Sequence, residues 1–177
     1  MYKEKFLSTL QQKLVYESVT PSHLGFKYAI SEMHIIHNLI MSLDLSKFST
    51  KNSDEFKQSL DESTSELVNT LSAEERTWGT ARTAINFYLR EALYNRYLSE
   101  VNDLFLSEHF FETPINDTSV LTLRRQKNGS TLPEWSGLSL FTPEQSDTYQ
   151  NFAADLAKDL GVSRVHLELF LWPGWKS

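Results

Sequence analysis

The sequence predicts a single all-α domain of about seven or eight helices. Apolar residues recur at helical spacing through most of the chain, as in the stripe of Phe6, Leu10 and Leu14. Helix-start and helix-stop signals bracket several of these stretches, for example Thr142 at one start and Gly161 at one end. No pair of alternating stretches suggests two strands that could bond to each other, so we expect no β-sheet.

The composition is typical of an ordinary globular protein. The chain has 177 residues, of which 40% are hydrophobic and 23% charged, and this length suits one domain. The absence of cysteine excludes disulfides, thiolate nucleophiles and cysteine metal sites. No apolar run is long enough to span a membrane, and the first residues lack the apolar core of a secretory signal. We therefore expect a cytoplasmic protein that does not contact a membrane.

The charge distribution is uneven along the chain. The net charge of -6 is unusual for a general nucleic-acid binder, which normally carries a basic surface. The stretch "LRRQKNGS", however, places Arg124, Arg125 and Lys127 close together. A local basic patch that contacts phosphate groups is therefore compatible with the acidic protein.

The first half of the chain predicts three helices. After the first stripe, Thr20 is a candidate N-cap and Pro21 suits the first helical position. This second helix is expected to run on to Leu43, with a wide apolar arc typical of a central helix. The third helix, over Ser53–Leu71, has a narrow apolar stripe and an acidic outer face, which favours a position on the surface.

A strongly apolar helix is predicted over Trp78–Leu98, followed by a short helix that ends before Pro114. The stretch Lys127–Leu140 contains Asn-Gly, Pro and Gly, which indicates a loop. The next helix begins at a capping box formed by Thr142 and Gln145.

The pattern of the last segment, "VSRVHLELFLWPGW", is compatible with either a strand or a helix. Its apolar residues alternate from Val165 to Leu171, as in a strand. A lone strand would leave its backbone groups unpaired, so we favour a helix here.

The predicted helix over Trp78–Leu98 carries Arg82, Asn86 and Arg90 four residues apart, in one row between apolar faces. A buried arginine is costly unless it meets a carboxylate, phosphate or carbonyl group. The row therefore predicts either an internal salt-bridge network or a polar cleft wall that binds a ligand. Candidate internal partners are Glu91, Glu112, Asp117 and Glu168.

Aromatic residues near loop-like sequence are candidates for stacking on a base or a small ligand, or for closing the core. They are Trp78, Trp135, Trp172 and Trp175. The i, i+3 pair His34 and His37 has no carboxylate at a suitable spacing. We therefore predict no metal site and no cofactor.

Three stretches in order, "TWGTARTAINFYLREALY", "ETPINDTSV" and "LGVSRVHLELFLWP", resemble the helix-hairpin-helix DNA glycosylases, most closely the archaeal 8-oxoguanine glycosylase branch. The resemblance covers about residues 72–173. It implies a glycosylase-like helical core, which we place over residues 73–177, and it does not explain the first seventy residues. We expect residues 1–72 to form N-terminal helices within the same domain. The resemblance also implies DNA as a partner.

The resemblance assigns roles position by position. Gly79 matches the last glycine of the hairpin, and with Thr80 it would contact the DNA backbone, as would the basic patch. The catalytic lysine of the family falls on Arg82 or Thr83, depending on the register. The catalytic aspartate falls on Asp117, or on Asn116 in the alternative register.

Neither Arg82 nor Thr83 can form a Schiff base, so the lyase path of the family is closed. A monofunctional hydrolytic route is still open, with Asp117 as the general base. Arg82, Asn86, Arg90, Trp78 and Trp135 would then bind the ligand. The alternative is a non-catalytic all-α module that binds or interacts without chemistry, and the sequence leaves its oligomeric state open.

Overall fold

The computed structural model describes residues 2–25, 30–71 and 77–171, and within these ranges it contains helices and no strand. The all-α prediction is therefore confirmed. The α-helices are α1 (Tyr2–Ser18), α2 (Pro21–Leu24), α3 (Ile30–Met41), α4 (Ser53–Thr70), α5 (Trp78–Tyr94), α6 (Arg96–Val101), α7 (Asp117–Arg124), α8 (Pro143–Leu160) and α9 (Leu167–Leu171). Short 3₁₀ turns occupy Leu45–Phe48, Leu104–Phe110, Gly129–Thr131, Leu138–Leu140 and Arg164–His166.

The second helix is shorter than predicted. Thr20 caps α2 with its hydroxyl, as expected, but α2 ends after one turn at Gly25. Gly25 has φ 69°, a left-handed conformation that closes a helix and that glycine adopts without steric cost. The prediction of one continuous helix from Thr20 to Leu43 was wrong, because the apolar pattern continues across this break.

The helix predicted over Trp78–Leu98 is also divided. It ends at Tyr94, and Asn95 then caps α6 by accepting hydrogen bonds from the backbone N–H groups of Tyr97 and Leu98. The side chain of an asparagine can bond to nearby backbone N–H groups in place of the carbonyl groups of a continuing helix. It therefore favours the end of one helix and the start of the next. The apolar period alone does not reveal that break.

The C-terminal elements follow the prediction. Thr142 and Gln145 form the expected capping box of α8, and Gly161 closes that helix with φ 70°. Residues 164–171 are helical rather than extended. The predicted aromatic residues Trp172 and Trp175 lie outside the described residues.

Helix α5 occupies the centre of the fold. It packs against α1 and α4 on one side and against the turn Leu138–Leu140 on the other. Gly79 permits the second contact, because a Cβ there would lie 2.3 Å from the carbonyl oxygen of Leu138. Two apolar clusters result, a larger one that α5 shares with the N-terminal helices and a smaller one beneath α8.

The predicted boundary between the N-terminal helices and the core, at residues 72 and 73, lies outside the described residues. On either side of it, α4 and α5 contribute to the same apolar cluster. The N-terminal helices therefore complete the core around α5 rather than forming a separate layer.

None of the helices within the described ranges combines the length and the apolar content that a membrane-spanning segment needs.

The close contact at Gly79 predicts a destabilising Gly79→Ala substitution. The added methyl group would also lie 2.7 Å from the Cβ atom of Phe141, so α5 or the turn must shift. We expect the free energy of unfolding to fall by about 2 kcal/mol, in spite of the better helix propensity of alanine. Urea denaturation measures this change.

Ser53→Ala is the matched control, because Ser53 is an exposed residue in the first turn of α4. We expect it to change the free energy of unfolding by less than about 0.5 kcal/mol. An unchanged or raised stability of Gly79→Ala would contradict the close packing of α5 on the turn.

Candidate functional site

Arg82, the first member of the polar row on α5, is enclosed in the protein interior. It is 2% exposed, and its guanidinium group faces the carboxylate of Glu112. The Nε–Oε2 and Nη2–Oε1 distances are both 2.9 Å, which makes a bidentate pair. Glu112 is one of the four internal partners considered from the sequence.

Two residues of α4 complete the surroundings of Arg82. Its Nη1 atom donates to Oδ1 of Asp61 at 2.8 Å and lies 3.2 Å from the hydroxyl oxygen of Thr64. The guanidinium carbon also lies 5.3 Å from the centre of the Trp78 ring. The charge of Arg82 is therefore balanced by carboxylates from two different parts of the chain.

Asn86 belongs to the same network. Its amide Nδ2 donates to Oε2 of Glu112 at 2.8 Å. Burial alone would raise the pKa of Glu112, but the charge and hydrogen bonds of Arg82 and the amide of Asn86 hold it below its usual value. Burial likewise opposes the charge of Arg82, and the two carboxylates outweigh it and raise the pKa of Arg82.

Arg90 has different partners. It is partly buried, and it pairs with Glu91 at 2.9 Å and with Glu168 of α9. Its guanidinium carbon lies 5.2 Å from the centre of the Phe87 ring. Arg82, Asn86 and Arg90 thus bond to carboxylates of the protein itself, as the internal-network alternative predicts.

Asp117 lies elsewhere, beside a cleft of about 440 Å³ that we call the Asp117 cleft. The cleft lies between α2, the start of α5, the start of α7 and the loop at residues 137–139. Its polar lining includes Ser22, His23, Thr77, Thr80, Asn116 and Asp117. No residue of the polar row lines it.

Asp117 is exposed at the first position of α7, and the indole N–H of Trp135 donates to its Oδ1 atom at 2.7 Å. Asn116 is the N-cap of α7, and its side chain accepts from the backbone N–H of Ser119 at 3.0 Å. The two registers therefore differ in chemistry. Asn116 is used to begin a helix, whereas Asp117 presents a carboxylate to the cleft.

Helix α5 and the segment before α7 are bonded to each other next to this cleft. The hydroxyl of Thr83 donates to the carbonyl oxygen of Ile115 at 2.8 Å. On the cleft side, the hydroxyls of Thr77 and Thr80 lie 2.8 Å apart. The structure thus brings Thr80 and Asp117 to one cleft, while Arg82 bonds to Glu112 and Asp61 and does not line that cleft.

The two described tryptophans of the predicted site pack within the smaller apolar cluster. The ring centres of Trp78 and Phe141 are 6.0 Å apart, and those of Trp135 and Phe141 are 5.1 Å apart. Trp135 also makes an edge contact with Tyr149. Trp135 still reaches the cleft through its N–H group, which orients Asp117.

The residues predicted to contact DNA phosphates are dispersed. Gly79 and Thr80 are buried in the first turn of α5. The Nη1 atom of Arg124 donates to the carbonyl oxygens at positions 132 and 133 at 3.0 and 2.7 Å, which holds the following loop. Arg125 and Lys127 are exposed.

Two histidines of the N-terminal half, His23 and the metal candidate His37, lie within hydrogen-bond distance of backbone carbonyl groups. His23 Nδ1 lies 2.7 Å from the carbonyl oxygen of Ser18, and His37 Nε2 lies 2.7 Å from that of Val19. Across the ranges that the structure describes, no group of three His, Asp or Glu side chains is arranged to hold a metal ion.

Several residues of these sites were not predicted from the sequence. Asp61 and Thr64 were assigned to a solvated helix, and their contacts with Arg82 join segments 21 and 18 residues apart. No local pattern identifies such a pairing. Thr77 did carry a signal, because a threonine directly before an apolar helix is a typical N-cap.

The buried pair predicts that removing one partner costs more than removing both. We expect Arg82→Met and Glu112→Leu, made separately, each to lower the free energy of unfolding by about 3–5 kcal/mol. The first change leaves the buried carboxylate of Glu112 without its cation, and the second leaves Arg82 with Asp61 as its one carboxylate partner within the described residues. The double variant should lose less than the more damaging single change. Chemical denaturation of the three variants measures these values.

Arg96→Met is the control for this series. Arg96 pairs with Glu100 on the surface, with 79% of its side chain exposed, so its loss should cost less than about 1 kcal/mol. A double variant whose loss equals the sum of the single losses would contradict the pairing.

The lowered pKa of Glu112 predicts a pH dependence of stability. The stabilisation is complete above the unfolded pKa of about 4.3, and it is lost as the pH falls through the lower folded value. The stability difference between wild type and Glu112→Gln should therefore be constant near neutral pH and shrink below about pH 4. Urea midpoints measured across this range test the prediction, and a difference that grows on acidification would contradict it.

Comparison with known proteins assigns no family to this chain. Family models, curated proteins and solved structures all gave no match. The resemblance to helix-hairpin-helix glycosylases therefore rests on the three sequence stretches alone. A proposal about function has to be based on the side chains and contacts that the structure describes.

Proposed function

We propose that this protein is a binding module that recognises DNA or a base-like ligand at the Asp117 cleft and has no lyase activity. The observation that carries the proposal is the difference in role between Arg82 and Asp117. Arg82 is used inside the protein by Glu112 and Asp61, whereas Asp117 presents an oriented carboxylate at a polar cleft.

The chemistry of the cleft suits the polar edge of a base. A carboxylate accepts hydrogen bonds from exocyclic amino groups, and the indole N–H of Trp135 leaves the second oxygen of Asp117 available for this purpose. The hydroxyls of Thr77 and Thr80 add groups that can donate or accept. A ligand with alternating donors and acceptors would match this lining.

The absence of a lyase step follows from the side chains available. Schiff-base formation needs an uncharged amine beside the sugar carbon. Among the residues that the structure describes, no lysine lines the Asp117 cleft. Arg82 remains a charged guanidinium, enclosed by its partners, so it cannot supply that group.

Binding to the DNA backbone should be weak and dependent on salt. The chain carries a net charge of -6, and the side chain of Arg124 is already bonded to loop carbonyls. Arg125 and Lys127 remain as exposed cations of the predicted patch. Recognition would therefore depend on the cleft more than on phosphate contacts.

Binding at the cleft predicts a specific effect of Asp117→Asn. This change keeps the size of the side chain and removes the charge, so ligand affinity should fall by about tenfold, equivalent to ~1.4 kcal/mol. Fluorescence anisotropy at low salt, with short duplexes that carry a mispaired base, measures the affinity. Free nucleosides in calorimetry provide a probe without phosphate.

Glu144→Gln is the matched control, because Glu144 is an exposed carboxylate in the first turn of α8, another helix. It should leave the affinity unchanged. Equal affinities of wild type and Asp117→Asn would contradict recognition at the cleft. Alkali-dependent nicking that is lost in Asp117→Asn would instead indicate hydrolysis with Asp117 as the general base.

The proposed absence of a lyase step predicts that borohydride reduction traps no covalent complex between the wild-type protein and DNA that contains an abasic site. Gel electrophoresis under denaturing conditions detects such a complex. A trapped complex would show that an amine of this chain attacks the sugar and would overturn this part of the proposal.

A further inference from the structure

A second and larger cleft, of about 900 Å³, lies between α4 and α8, and we call it the wide cleft. The end of the turn Leu104–Phe110, Glu112 after it and the turn Arg164–His166 contribute to its lining. Charged groups in this lining include Lys57, Glu108, Asp147, Lys158 and Arg164. It shares no lining residue with the Asp117 cleft.

Arg164 is the unusual group of the wide cleft. It is partly buried, and it donates from Nε to the carbonyl oxygen of Phe111 at 3.0 Å and from Nη2 to that of Phe110 at 2.9 Å. Within the described part of the chain it forms no ion pair, and its Nη1 atom has no hydrogen-bond partner. Burial lowers the pKa of Arg164, which reflects this incomplete compensation.

Two of the carboxylates near Arg164 already have other partners, whereas Asp147 acts on Arg164 through its charge without forming an ion pair with it. Glu112 accepts from both Arg82 and Asn86. Glu108 accepts from the hydroxyl of Ser163 at 2.9 Å and lies 2.9 Å from Nε2 of His166. A partly buried guanidinium without a carboxylate partner, in a large open cleft, is suited to a ligand oxyanion.

The other charged side chains of the wide cleft indicate which class of anion it can bind. Lys158 adds a positive charge, and it forms no ion pair within the described ranges. Asp54 and Asp147 also line the cleft without an ion pair there, and they would repel a multiply charged anion. They would attract an ammonium group on the same ligand.

We propose that the wide cleft binds a small carboxylate that also carries an ammonium group, such as an amino acid or a short peptide, with its carboxylate on Arg164. The Nη1 atom and the second N–H of Nη2 are not used by the two carbonyls, and together they can donate to both oxygens of one carboxylate. Asp147 provides the acceptor for the ammonium group. This site is independent of the function proposed for the Asp117 cleft.

The experiment is calorimetric titration of the full chain with three probes: glycylglycine, acetate and inorganic phosphate. We expect glycylglycine to bind more tightly than acetate, which lacks the ammonium group, and than phosphate, which carries more negative charge. Arg164→Lys should weaken glycylglycine binding by about tenfold, because lysine lacks the planar fork. Asp147→Asn, at an exposed position, should weaken glycylglycine but not acetate.

Two controls keep these results interpretable. Arg96→Lys makes the same change at an exposed position outside both clefts and should leave the affinities for all three probes unchanged. Because Arg164 also holds two backbone carbonyls, Lys158→Met at an exposed position provides a second variant that leaves those bonds in place, and it should weaken both glycylglycine and acetate.

Three results would overturn the proposal. They are no heat of binding with glycylglycine at millimolar concentration, equal affinities in wild type and all cleft variants, and tighter binding of phosphate than of glycylglycine. Each of these outcomes leaves the proposal for the Asp117 cleft unaffected, because the two clefts have no residue in common.

Discussion

The paired charge of Arg82 and Glu112 is the constraint on which the positions of the other elements depend. A guanidinium that is 2% exposed must be balanced inside the protein, and the bidentate pair with Glu112 provides that balance. Asp61 joins α4 to the same guanidinium. The pair thus fixes α4, α5 and the segment at Glu112 relative to each other. That segment continues to Asn116, whose capping of α7 places Asp117 beside its cleft.

This arrangement gives the polar row of α5 a structural role, and the two clefts are the sites at which we propose recognition. The two arginines of the row are paired with carboxylates of the protein, so few of their N–H groups remain to bind a ligand. Arg164 differs from Arg82 in this respect, because backbone carbonyls are its hydrogen-bond acceptors within the described residues. A cation that is removed from water needs an anion, which accounts for the position of Arg82 in the core and supports the ligand site proposed at the partly buried Arg164.

The parts of the fold that depend on local chemistry could be predicted from the sequence. The capping box of α8 is an example, because its signals lie within one turn. The breaks at Gly25 and Asn95 were missed because the apolar period continues through both. Four carboxylates could be identified from the sequence as candidate partners of the polar row, but the sequence does not show which of them pairs with Arg82. The choice of Glu112 depends on a contact across 30 residues, which only the packing of the whole chain determines.

The central claim is that Arg82 supports the structure and does not occupy a vacant catalytic position. Borohydride trapping of an Arg82→Lys variant, with DNA that contains an abasic site, tests it most directly. The amine would lie among Glu112, Asp61 and Thr64, protonated and away from the Asp117 cleft, so the account predicts no covalent complex and a loss of stability. A trapped complex in this variant, absent from the wild type, would show that position 82 faces a sugar and would contradict the account.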